Sequence, residues 1–110
     1  MKIWLDDERD PTKKIWQDEK NAEPDMVWVK DPEEAIRLLK SGVVTLISLD
    51  HDLGTTLTGY DVAKFIEESA FNGIIPQLNW RIHTDNPRGY WDIAKALLNA
   101  NKFWQQKIST

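Results

Sequence analysis

Short apolar runs that stop at aspartates constrain this chain more than any other feature. Lys2 to Leu5 is halted by Asp6 and Asp7, and Thr45 to Leu49 by Asp50, His51 and Asp52. Each run suits a buried strand and is too short for a buried helix. Met26 to Val29 and Asn79 to Thr84 read as two further strands. Helix starts fall between them. Asp31-Pro32-Glu33-Glu34 supplies an N-cap acid, a proline at the first helical position and a capping-box glutamate. Ala35, Leu38 and Leu39 give that helix its apolar face, and Gly42 stops it. A second helix is predicted from Gly59 to Asn72, with Gly73 as its C-cap. Asn86-Pro87 opens a third, running to about Lys102. Residues 10–25 are polar and contain Pro11 and Pro24, so they read as a long loop with a helical turn near Lys13–Gln17. Residues 103–110 read as a short polar tail.

Strands alternating with helices predict a parallel α/β sheet with helices on both faces. The best topology is a flavodoxin-like sheet of four strands in the order 2-1-3-4, formed by one domain over residues 1–110. The fourth strand alternates Trp80 and Ile82 with Arg81 and His83, as an edge strand does. In such sheets the ligand crevice lies at the carboxyl ends of the first and third strands. Those ends carry the aspartates.

The chain has no cysteine, which excludes disulfides, thiolate metal sites and a cysteine nucleophile. No apolar run approaches the ~20 residues of a membrane span. Acids appear by position 6, unlike a secretory signal, so a cytoplasmic protein is expected. The net charge of −4 argues against nonspecific coating of DNA. That charge is unevenly spread: residues 1–80 sum to −7 and residues 81–110 to +3. Such a division suits a cation held in one place and an anion met in another.

Three strand ends would deliver Asp6, Asp7, Asp50, His51, Asp52, His83 and Thr84 into one crevice. Carboxylates forced together need a cation or a proton between them. Hard oxygen donors favour magnesium or manganese, with Asp6, Asp7 and Asp50 as the metal set. His51 and His83 have the chemistry of a general acid and base, with Asp50 and Asp52 beside them. A helix opening at Pro87 would turn its positive end toward Thr84. Thr84, Asn86, Arg88 and Gly89 then read as a phosphate grip, Gly89 permitting close approach. Thr58-Gly59-Tyr60-Asp61 reads as a tight turn into a helix N-terminus. Of the six tryptophans, Trp4 and Trp28 are expected in the core, while Trp16, Trp91 and Trp104 would suit a base-stacking surface.

The stretches Leu5-Asp6-Asp7-Glu8-Arg9, Ser48 to Gly54, Thr58 to Asp61 and His83 to Gly89 resemble the cyclic-phosphate processing receiver domain. The resemblance covers about residues 2–100. It implies a small stand-alone bacterial or phage domain, similar to response-regulator receivers, that hydrolyses cyclic phosphates on RNA ends or nucleotides. The chain departs from signalling receivers in lacking a fifth strand and the lysine that ends it. His51 and His83 are not receiver features either.

The leading expectation is therefore a phosphoesterase (a hydrolase) opening a cyclic phosphate on an RNA end or a nucleotide, assisted by a divalent metal. A metal-free variant would leave the work to the two histidines. The alternative is a module that binds a cyclic nucleotide or phosphorylated ligand without cleaving it. A third reading, an aspartyl-phosphate switch at Asp50, is weakened by the missing lysine.

Overall fold

The computed structural model describes residues 1–109. Four strands, β1 (Lys2–Leu5), β2 (Val27–Val29), β3 (Leu46–Leu49) and β4 (Asn79–Ile82), alternate with four helices. These are α1 (Lys14–Lys20), α2 (Pro32–Lys40), α3 (Gly59–Asn72) and α4 (Pro87–Ser109). All strand pairings are parallel, in the order β2-β1-β3-β4, as the sequence predicts. No helix is long and apolar enough to cross a membrane among the described residues.

The caps at Asp31 and Asn86 form as read from the sequence, whereas the capping box expected from a glutamate at α2 does not, and α3 has a box in its place. Asp31 accepts from the Glu33 N–H, with Pro32 in the first turn. Thr58 and Asp61 form a reciprocal capping box at α3, and Gly73 closes that helix in the left-handed region at φ 70°. Asn86 caps α4 by accepting from the Gly89 N–H at 3.0 Å.

The sheet is covered unequally. Ile3, Leu5, Ile47 and Leu49 meet α2, α3 and α4 in the main core through Leu39, Ile66, Ile93 and Leu97. The opposite face carries Trp4, Leu46, Ser48 and His83, and is covered by the segment around α1. Ala22 and Met26 bury against Trp4 there, with Trp16 and Trp28 packed beside them. Helices thus lie on both faces, but the second has only the seven residues of α1.

Two expectations need correction. The predicted polar tail is helix: α4 runs on to Ser109 and buries Trp104 in the main core, its indole N–H reaching the Ile75 carbonyl. The apolar period Ile93, Leu97, Ala100, Trp104 continues past Lys102, and burial of that stripe holds the last turns. Trp16, Trp91 and Trp104 consequently share no surface. Trp16 is half-buried under the Arg9 guanidinium, Trp104 is core, and only Trp91 is exposed.

Candidate functional site

The strand ends do converge. A hollow of about 290 Å³ opens at the carboxyl edge of the sheet, lined by Asp6, Asp7, Asp50, Asp52 and Thr84, with Glu8, Arg9, Gly54 and Asp85 completing it. Asp6, Asp7 and Asp50 each offer a carboxylate oxygen, and these lie within 4.8 Å of one another.

Asp6 is buried and already engages both carboxylate oxygens. Its Oδ1 accepts from the backbone N–H groups of Glu8 and Arg9 at 2.8 and 2.9 Å. Its Oδ2 receives the Arg9 guanidinium at 3.1 Å and lies 3.0 Å from His83 Nε2. Burial alone would raise its pKa, but the bonds from His83, the two amides and Arg9 outweigh that and hold it at about 2. Asp50 is shifted the other way. Burial raises its pKa and the neighbouring Asp6 charge adds to the rise, against opposing bonds from Thr84 and the His51 N–H. A carboxylate disfavoured by its surroundings is one that a cation would relieve.

Arg9 belongs to the cluster although the sequence pattern does not single it out. Its guanidinium lies 3.6 Å from Asp50 and 2.7 Å from Asp85, besides Asp6. Lys20 of α1 also pairs with Asp85. Arg9 thus brings a fixed positive charge to Asp50 without a fifth strand. The signal that could have found it is local: Asp6 capping the Glu8 and Arg9 amides folds the turn tightly enough to return Arg9 to the cluster.

The two histidines do not meet. His83 lies on the second face of the sheet, stacked on Trp4 with ring centroids 3.7 Å apart and planes within 5°. Its Nδ1 lies 2.7 Å from Ser48 Oγ and its Nε2 is taken by Asp6, so no ring nitrogen is left for a substrate. The expectation of an open acid–base pair is corrected accordingly: His83 orients Asp6. His51 is separate and partly exposed. Its Nδ1 lies 2.9 Å from Asp52 Oδ1, and its Nε2 has no hydrogen-bond partner among the described residues. His51 itself does not line the hollow, whereas Asp52 does.

The residues expected to grip phosphate do not share one place. Thr84 lines the hollow, and its hydroxyl accepts from the Asn86 N–H. Asn86 approaches the Asp52 carboxylate through Nδ2 at 3.4 Å. Gly89 gives its space to protein rather than to phosphate: a β-carbon there would lie 2.4 Å from His51 Cγ. Arg88 is exposed and lies outside the hollow, because the first turn of α4 carries it to the outer side. Pro87 lacks an N–H and Asn86 occupies that of Gly89, so Arg88 alone offers an unpartnered first-turn amide among the described residues.

A parallel sheet ordered 2-1-3-4, with an aspartate pair ending β1 and an aspartate ending β3, defines a receiver-like α/β domain. The family model of the cyclic-phosphate processing receiver domain matches residues 1–99, and the chain belongs to that family. No curated protein matches the chain, and no solved structure does.

Proposed function

We propose that this domain hydrolyses a cyclic phosphate on an RNA end or nucleotide, with a divalent cation, magnesium or manganese, as cofactor. The observation that carries the reading is the shared hollow: three close carboxylates face the Arg9 guanidinium and the Thr84 hydroxyl in one opening. The donor set fits a hard cation, since every ligand atom is a carboxylate oxygen and burial disfavours a bare charge on Asp50. Held by Asp6, Asp7 and Asp50, the cation would polarise phosphoryl oxygens or activate water.

The chain's own groups divide the remaining work. Arg9 and Thr84 offer donors to the non-bridging phosphoryl oxygens. Asp52 fixes the tautomer of His51 through Nδ1, which leaves Nε2 to take the proton of the attacking water. Water oxygen bonds to phosphorus, one ring phosphorus–oxygen bond breaks, and that proton returns to the leaving oxygen. His83 and Ser48 act only by holding Asp6. The product is an acyclic phosphomonoester.

The test is hydrolysis of 2′,3′-cyclic nucleotides and of RNA ending in a 2′,3′-cyclic phosphate, with magnesium or manganese. The wild type is expected to yield phosphomonoester. Asp50→Asn and His51→Ala should lose turnover by at least about a hundredfold. No turnover with any divalent metal, from a folded sample, overturns the enzyme reading.

One observation favours a second reading, a binding module: no imidazole lines the hollow. That reading expects thermal stabilisation by the cyclic nucleotide, recovery of the ligand intact, and only a modest loss of affinity in His51→Ala.

A further inference from the structure

We propose that the outer face of α4 is a docking surface for single-stranded RNA, so that the substrate is a polynucleotide end rather than a free cyclic nucleotide. The inference rests on the reading of the hollow as the seat of the terminal phosphate. Arg88, Trp91, Lys95, Leu98 and Lys102 follow one another at intervals of three and four, which places them on one stripe of the helix. All five are exposed, opposite the buried stripe of Ile93, Leu97, Ala100 and Trp104. The stripe spans about 21 Å at the α-helical rise of ~1.5 Å per residue.

Charge and aromatic chemistry identify the occupant. Lys2, Arg9, Lys14, Lys20, Arg37, Lys64 and Arg81 all pair with carboxylates. The side chains of Lys13, Lys30 and Lys40 also lack ion pairs but are scattered, whereas Arg88, Lys95 and Lys102, equally without an ion pair or side-chain hydrogen bond among the described residues, share one helix. Three unpaired cations on an otherwise acidic protein suit a polyanion. Trp91 stands between the first two and is 64% exposed, braced edge-on by Tyr90 with centroids 5.6 Å apart. A rigid indole among cations is the usual platform for unpaired bases. The stripe also starts where the site ends: α4 opens directly after Thr84 and Asp85, which line the hollow. A strand whose terminal phosphate sits in the hollow would therefore run onto α4. Acidic peptides would be served by the lysines but not by the indole, so RNA is the occupant the stripe fits.

The test is fluorescence anisotropy of a labelled ten-nucleotide RNA bearing a 3′-terminal phosphate, with a single nucleoside monophosphate as competitor. It is run in parallel with hydrolysis of a 2′,3′-cyclic mononucleotide and of a 2′,3′-cyclic-ended RNA. Wild type should bind the oligonucleotide at least about tenfold more tightly than the mononucleotide. Trp91→Ala should weaken oligonucleotide binding about tenfold. Lys95→Gln with Lys102→Gln should lower the slope of log affinity against log salt by about 1.4. None of these changes should alter turnover of the mononucleotide. Equal affinity for oligonucleotide and mononucleotide, or unchanged binding when all three substitutions are combined, overturns the proposal even if hydrolysis is observed. Loss of oligonucleotide binding in the variants supports it even if no hydrolysis is found. A dimer dissolved by Trp91→Ala in sedimentation, without RNA binding, would assign the face to a second copy and also overturn it.

Discussion

Gly89 and His51 occupy adjoining halves of one space: the imidazole lies where a side chain at position 89 would begin. A β-carbon at that position would stand 2.4 Å from His51 Cγ and 2.8 Å from the His51 β-carbon. The start of α4 thus sets the His51 ring against Asp52 without touching its Nε2. Gly89→Ala adds helix propensity worth about 1 kcal/mol, yet it must displace both ring and β-carbon. Rotation can move the His51 ring but not its β-carbon, so the backbone must shift and a lower melting temperature is expected. Turnover or ligand affinity should also fall at least about tenfold. Unchanged function by assay or calorimetry would contradict this role for the glycine.

Gly59 presents the harsher version of the same contact. A β-carbon there would meet the Asp50 carbonyl oxygen at 1.8 Å, and that oxygen is backbone at a buried strand end. Neither partner can yield cheaply. Gly59→Ala should cost about 3 kcal/mol or more in urea unfolding. A variant as stable as wild type would show that α3 can withdraw from β3.

Asp6 and Asp50 give opposite pH signatures. Asp6 is held at about 2, below its ordinary 3.8, so its stabilisation is complete above the unfolded value and vanishes as pH falls through about 2. That loss is on the order of 2 kcal/mol. Asp50 is raised, so ionising it costs the folded state at neutral pH, and the penalty fades as pH drops through its folded pKa. Asp50→Asn should therefore be more stable than wild type at neutral pH, with the gap closing as the solution is acidified. Denaturation at several pH values measures this directly; a gap that stays constant would contradict the assignment.

Arg9 already neutralises the carboxylates a cation would use. Arg9→Gln should lower the stability of the metal-free protein by about 2–3 kcal/mol, because Asp6 and Asp50 lose their countercharge. In compensation, the rise in melting temperature on adding manganese should be larger than in wild type. Equal shifts in both proteins would mean that Arg9 and the cation do not compete.

Strand order and most helix limits are legible in the sequence because local chemistry and burial agree there. Apolar runs end at aspartates, prolines stand at the first turns of α2 and α4, and Gly73 ends α3 where predicted. The place of His83 is not legible, because alternation with Trp80 and Ile82 distinguishes two faces but not water from a polar interior. The face that reads as solvent holds Trp4 and Ser48, which bury the imidazole. Arg9 is hidden for another reason: its partners Asp50 and Asp85 are remote in the chain. The α1 helix, with no side chain buried, leaves only the hint of a turn near Lys13–Gln17. At the other end, the polar composition of residues 103–110 masks the apolar period that carries α4 to Ser109.

The uneven cover of the sheet links stability to occupancy. One segment walls the hollow through Arg9, pairs Lys20 with the lining residue Asp85, and seals Trp4 beneath Ala22 and Met26. It is fastened by the Trp4 indole to the Arg9 carbonyl and by Arg81 to Glu23 and the Asn21 carbonyl. With so little buried in α1, this strap is the part of the molecule expected to open first. A ligand that engages Arg9 must then slow amide exchange throughout residues 10–25, far beyond its own contacts. Conversely, loosening Met26 would weaken binding at a site that Met26 never touches.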